Sequence, residues 1–223
     1  MASKFIVIEG LDGSGKGTQS QLLYQNLKDR GYKVKKLTFP DYDSPTSSLV
    51  KMYLGGELGD SPDAVNAYAA SAFYAVDRVA SFIKSWKKDY EECDYLIADR
   101  YVTSNIIYQM SKVADSERDE YIQWCEDFEY NRLGVPKPDV VIYLDMPPEI
   151  SQKLMSGRYN GDESKKDIHE KNMNFLLGCR KSALYAIEKL DWVHLSCAEG
   201  DAPKSIESIT HQILDIVDML NSL

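Results

Sequence analysis

The chain has 223 residues, with 26 lysines and arginines against 35 aspartates and glutamates, a formal net charge of −9. That length makes one large domain or two small ones and is enough for a core without disulfide or metal staples. The acidic balance argues against broad electrostatic binding to nucleic acid or anionic lipid, and no apolar run approaches the roughly 20 residues of a bilayer crossing.

In chain order, residues 5–9 read as a buried strand. Residues 15–30 read as a helix, with Leu22, Leu23 and Leu27 on one face and Gly31 as the stop signal. Residues 34–39 form a second strand. Ser44-Pro45 and Ser61-Pro62 each look like an N-cap followed by proline, and the second is expected to open a helix reaching about Lys88. Residues 95–99 and 140–145 are further buried strands, and 192–195 a weaker one. Helical patterns lie between them and run from Asp201 to the end. This alternation predicts a single domain, residues 1–223, of three α/β/α layers around a mainly parallel sheet of about five strands. In such sheets ligands sit at the carboxyl ends of the strands, so a site is expected just after Ile8, Phe39, Ala98 and Leu144.

The first of these strand ends is followed by Gly10-Leu11-Asp12-Gly13-Ser14-Gly15-Lys16-Gly17-Thr18. G-x-x-x-x-G-K after a strand and at the start of a helix is the spacing of a phosphate-binding P-loop. Its glycines let backbone N–H groups turn onto phosphate oxygens, its lysine adds a cation and the helix N-terminus adds its dipole. The fold is therefore expected to be of P-loop NTPase type. A Ser or Thr normally follows the lysine as a magnesium ligand, but here Gly17 intervenes and the hydroxyl comes on Thr18. That weakens a GTPase or motor reading and fits small-molecule kinases.

The third strand ends in Asp99-Arg100-Tyr101. A carboxylate there, beside a P-loop, suits Mg²⁺, and the guanidinium fork of Arg100 suits a second phosphate. An Asp99–Arg100 ion pair that merely fixes the turn is the alternative. The cysteines (Cys93, Cys125, Cys179, Cys197) show no C-x-x-C and no nearby histidine, so they read as reduced structural thiols. With no signal-peptide pattern at the N-terminus, a cytoplasmic protein is expected.

At this point the sequence resembles the thymidylate kinase family. The resemblance rests on residues 9–19, on Phe39-Pro40-Asp41-Tyr42, on Phe73-Tyr74-Ala75-Val76-Asp77-Arg78, on residues 99–105 with Tyr108-Gln109, and on Pro136-Lys137-Pro138-Asp139. It covers roughly residues 1–175 in family order. It implies Mg²⁺-dependent transfer of the γ-phosphoryl group of ATP to dTMP, giving ADP and dTDP, by a homodimer that needs neither nucleic acid nor membrane. ATP would be held by Gly10, Leu11, Asp12, Gly13, Ser14, Gly15, Lys16, Gly17 and Thr18. On the acceptor side, Tyr74 would stack on thymine, Arg78 would donate to its carbonyl and Asn105 to its edge. Arg100 would hold the acceptor phosphate in a pocket shaped by Phe39 and Tyr42, with Ser104 alongside. Asp12 would accept from the 3′-hydroxyl and help place magnesium, and Tyr108 would crowd the 2′ position. Tyr74 as plain core, Asp77-Arg78 as a solvated pair and Asp12 as a helix cap stay open alternatives.

Residues 156–167 are polar and glycine-containing between two helical patterns, as in a mobile lid. The resemblance implies that this lid closes over ATP. Some members place an arginine inside the P-loop; here Gly13 stands there, so the lid must supply it. Arg158 is the only arginine in the segment, with Lys165 and Lys166 as rivals and an ordinary solvated loop as the alternative. Glu170, in the pattern Asp167-x-x-Glu170, joins Thr18 and Asp99 as a candidate magnesium ligand, with a reach to the acceptor side as its alternative. Another nucleotide or nucleoside kinase, a non-catalytic nucleotide switch and a purely structural protein are the competing functions.

Overall fold

The unbroken apolar run Phe5, Ile6, Val7, Ile8 requires cover on both sides, and it forms the middle strand of a parallel sheet. The computed structural model describes residues 3–158, 167–170 and 172–221, with backbone only for 156–158. Its sheet runs β2 (Val34–Thr38), β3 (Tyr95–Asp99), β1 (Lys4–Gly10), β4 (Val140–Asp145), β5 (Val193–Ser196), every neighbouring pair parallel. Alternate side chains divide the core. Phe5, Val7, Leu96, Ala98 and Tyr143 face a layer that includes α5 (Arg118–Glu126) and α7 (Met173–Leu190). Ile6, Ile8, Ile97, Ile142 and Leu144 face α1 (Lys16–Asp29) and α8 (Ile206–Leu220). The chain leaves β1 towards β2 on one side and reaches β4 and β5 on the other, so a crevice opens at the carboxyl end of β1.

Gly31 stops α1 as expected. At φ +91° it takes the left-handed turn, its N–H donates to the Lys28 carbonyl and that of Tyr32 to the Leu27 carbonyl. The proline-preceded serines do less than expected. Ser44 caps one 3₁₀ turn before α2 (Ser48–Leu54), and Ser61 caps another. After the second the chain goes extended at Val65, and the long helix starts only at Ala67, where Asn66 Oδ1 accepts from the Ala69 N–H at 2.8 Å. From there α3 (Ala67–Ser81) passes through a π turn, Phe82–Trp86, into α4 (Lys87–Glu92).

The stretch from Asp201 is not helical at once. A hairpin of β6 (Ala198–Glu199) and β7 (Ala202–Pro203) precedes α8, which Ser205 caps. Strands of two residues carry no period to read. The remaining helix, α6 (Pro148–Arg158), leads from β4 to the polar segment. The cysteines are free and buried. Among the described residues no helix is long and apolar enough to cross a membrane.

Candidate active site

The P-loop leaves β1 at Gly10 and enters α1 at Lys16. Gly15, at φ +91°, is the N-cap and offers no side chain to the first-turn N–H groups, which suits an anion there. Gly13 sits at φ +79°, and a Cβ on it would stand 2.7 Å from the Ser151 carbonyl and 3.0 Å from Met155 Cγ. Helix α6 thus packs directly on the loop and leaves no room for a side chain at 13. Asp12, Gly13, Ser14, Gly15, Lys16, Gly17 and Thr18 line a cleft of about 950 Å³. Gly10 and Leu11 do not. They lie beneath the loop, and the Leu11 carbonyl accepts from Lys16 Nζ at 2.8 Å. Burial pulls the Lys16 ammonium down to about 8, as does Arg100, against Asp12, Asp99 and Glu9, which hold it up.

Arg100 follows β3 at φ 67°, a left-handed conformation uncommon for any residue but glycine, with its N–H on the Ile8 carbonyl at 3.2 Å. Its guanidinium pairs with Asp12 and lies 5.2 Å from the centre of the Tyr108 ring. Asp12 Oδ2 accepts from the Tyr108 hydroxyl at 3.0 Å. Burial alone would raise the Asp12 carboxyl, but Arg100, Lys16 and that hydroxyl bring it down to about 2. So Arg100 is paired with Asp12 and not with Asp99, and Asp12 does not cap α1.

Glu9 counts towards the resemblance, but the sequence gives it no role. Fully buried at the end of β1, its Oε1 accepts from the Tyr101 N–H (3.2 Å) and from the hydroxyls of Thr103 and Ser104 (2.7 Å each). Burial raises its carboxyl, and Arg100 with the two hydroxyls works against that. Ser104 lines the cleft, yet its hydroxyl is spent on Glu9. A charge inside an otherwise apolar strand was the available signal.

On the other side of the cleft, Asp77 and Arg78 are both buried, not a solvated pair. Asp77 accepts from the Asp41 N–H (3.0 Å) and the Thr46 hydroxyl (2.5 Å), which ties down the loop carrying Phe39 and Tyr42. Phe39 packs on Trp86 and Tyr101 and lines the cleft; Tyr42 is half exposed there, its hydroxyl pushed up to about 12 by burial. Tyr74 also lines the cleft, edge-on to Tyr53 at 6.4 Å. Arg78 grips Glu129 with two bonds of 2.5 Å, and Asn105 Nδ2 donates to the same carboxylate at 2.9 Å and to the Ser71 carbonyl at 3.3 Å. Asn105 was expected to donate to a base. Both its N–H groups are engaged, so Oδ1 is what it can offer. Glu129, an acid among aromatics, carried no sequence signal.

A fourth wall comes from residues 167–170. The His169 ring stacks on Tyr108 (5.8 Å, 15° between planes), and its Nε2 is 3.0 Å from the Tyr53 hydroxyl. Burial, with Lys112 adding to it, takes the imidazole down to about 3, so it is neutral. Asp167 Oδ1 accepts from the His169 and Glu170 N–H groups, and Glu170 Oε2 accepts from the Asp167 N–H at 3.2 Å. Glu170 lines the cleft from this turn. Helix α6 ends on Arg158, but that side chain and residues 159–166, with Lys165 and Lys166, lie outside the described residues.

A hard cation fits the loop end of the cleft. The Asp99 carboxylate stands at the end of β3, with Oδ2 3.4 Å from where a Cβ on Gly17 would be, and Thr18 lines the same wall. Among the described residues no cluster of His, Cys, Asp or Glu forms an all-protein cage. One or two oxygen donors, with phosphate and water for the rest, is how magnesium is commonly held. Past Thr18, Gln19 Nε2 reaches the Ile206 carbonyl (3.1 Å), and Pro203, Lys204 and Ile206 close that end; these last three were not singled out by sequence.

A family model described as Thymidylate kinase matches residues 8–213. The chain belongs to the thymidylate kinase family. It is accordingly a nucleoside monophosphate kinase, a phosphotransferase. It is 32% identical to the thymidylate kinase of Mycobacterium tuberculosis over 81% of this chain and 83% of that one. To the probable thymidylate kinase of Thermococcus kodakarensis it is 31% identical over 97% and 98%. The thymidylate kinase structure from Candida albicans shares the fold at a TM-score of 0.72 and 22% identity, covering 99% of this chain and 93% of that one.

Proposed function

We propose that the chain transfers the γ-phosphoryl group of ATP to dTMP within this one cleft. The observation that carries the reading is the pairing of two anion sites along its length: the P-loop with Lys16 at one end, and Arg100 held by Asp12 beside the Arg78–Asn105 pair. Each end suits one nucleotide, and the phosphates would meet between them.

The dTMP phosphate is largely ionised at neutral pH, so it needs no strong base to attack the γ-phosphorus in line. Catalysis is then positioning and charge neutralisation. Lys16 leaves the Leu11 carbonyl for the phosphates, and the first-turn N–H groups of α1 face them. Arg100 holds the acceptor phosphate. The Asp12 carboxylate, ionised far below neutral pH, accepts from the 3′-hydroxyl. Tyr108, braced by its bond to Asp12 and by His169 behind it, fills the 2′ side. Tyr74 offers its ring face to thymine. Pro203 and Ile206 offer apolar surface to the purine. Magnesium, when bound, neutralises phosphate oxygens; Asp99 and Thr18 would hold it, with Glu170 on the acceptor side. Arg158 would reach the transferring group when residues 156–167 close, and closure would keep water from taking the phosphoryl group.

A cytoplasmic homodimer completes the reading. Val76 and Ile83 are exposed apolar side chains along the α3 helix and its π continuation, a surface a second copy could cover. A coupled ADP-release assay with ATP and dTMP, dUMP, UMP, dCMP or AMP tests the proposal. Turnover fastest with dTMP is expected. No ADP release with dTMP, or a clear preference for AMP, would reject it.

A further inference from the structure

Arg78 and Asn105 line the cleft, yet both are held from behind by a residue that does not line it, Glu129. The clamp is costly. Two opposite charges are almost wholly out of water, with side-chain exposures of 2% and 1%, and an apolar pair of similar volume would pack there with no desolvation penalty. Glu129 and Asn105 also sit on π turns, Asp127–Arg132 and Asn105–Gln109, a helix irregularity common at working sites.

The clamp fixes which hydrogen-bonding groups remain. Of the five N–H groups of Arg78, two go to Glu129 and one to the Tyr101 carbonyl at 3.3 Å, so donors are left over. Asn105 is restricted more sharply. Turning its amide over would set Oδ1 against the Glu129 carboxylate and the Ser71 carbonyl, both acceptors. The orientation with Nδ2 inward is therefore enforced, and Oδ1, which takes no hydrogen bond from the described residues, remains. Donors beside an acceptor match a base edge with a carbonyl next to a ring N–H. They oppose an edge with an amino group next to a bare ring nitrogen. Thymine and uracil present the first edge, cytosine the second.

We propose that Glu129 is a positioning residue for base selection: by holding Arg78 and locking the Asn105 amide it makes the cleft read the 4-keto, 3-N–H edge and reject cytosine. This deepens the proposed function and rests on it, since it takes Arg78 and Asn105 as the groups facing the base. Glu129 acts through these two and does not itself touch substrate.

The test compares kcat/KM for dTMP and dCMP, each with saturating ATP, in the wild type, in Glu129→Gln and in Glu129→Asp, with thermal melting of each protein. In Glu129→Gln the carboxamide can donate as well as accept, so Asn105 is free to turn. The dTMP to dCMP ratio is expected to fall about tenfold or more, through a raised KM for dTMP, with the KM for ATP unmoved. Glu129→Asp keeps the charge one methylene short and is expected to lower the ratio less; it carries the test if the glutamine variant does not fold. Loss of activity on both substrates in equal proportion, or a ratio unchanged in folded variants, overturns the inference and leaves the proposed function standing. A wild type that transfers nothing to dTMP overturns that reading and the inference with it.

Discussion

The two ends of the cleft are built in different ways. The donor end is nearly contiguous: residues 12–18 supply backbone N–H groups, one lysine and a helix start, and their neighbours mainly support them. The acceptor end is assembled from Arg78 on α3, Arg100 after β3, Asn105 and Tyr108 on a π turn, His169 before α7 and Glu129 out of sight behind them. A phosphate needs generic charge and N–H groups, which a short loop provides. A base and a sugar need donors and acceptors at separate places, which only tertiary structure brings together. Damage at the donor end should therefore slow transfer to every acceptor alike, and damage at the acceptor end should change which acceptor is chosen.

The largest effect is expected at the loop. Lys16→Ala should lower kcat by about 10²–10⁴ with any monophosphate, because it removes a cation from the transferring group. A variant with full activity would take Lys16 out of the mechanism and undo the contrast. Arg158→Ala should come next, with kcat down about 10–10²-fold and the KM for dTMP little changed. An effect on KM alone would move the lid role to another residue. Tyr108→Ala should act at the other end, narrowing the dTMP to UMP preference by about tenfold. If that ratio stays put, the sugar is selected elsewhere.

The remaining expected effect is on stability in acid. The Asp12 carboxyl is held near 2 in the folded chain against its ordinary 3.8, so its contribution is complete above about 4 and is lost as pH falls towards 2. The shift corresponds to about 2 kcal/mol. Urea unfolding of the wild type and Asp12→Asn should show a gap of that order at pH 7 that closes by about pH 2. A gap independent of pH would mean that Asp12 is not held by its charge.

The same contrast explains what could be read from the sequence. The five strands of the parallel sheet, the P-loop and the Gly31 stop depend on neighbours in the chain, and all appear where their patterns put them. The α3 start was misplaced because Ser61 and Asn66 are both good caps, and only the extended backbone at Val65 decides between them. The acceptor side was legible through family resemblance, and then only for residues that face the cleft. Glu9 and Glu129 act from beneath, through hydrogen bonds to residues 92 or more and 24 or more positions away, and no spacing rule spans such distances. The Asn105 amide could not be oriented without knowing that Glu129 faces it.

The central claim is that one cleft sets two nucleotides end to end. Its most direct test is a crystal structure with ADP and dTMP bound together. The account predicts the ADP phosphates on residues 12–18 and the dTMP phosphate within hydrogen-bonding distance of Arg100, with thymine beside Arg78 and Asn105. A dTMP phosphate bound away from Arg100, or a base directed out of the cleft, would contradict it.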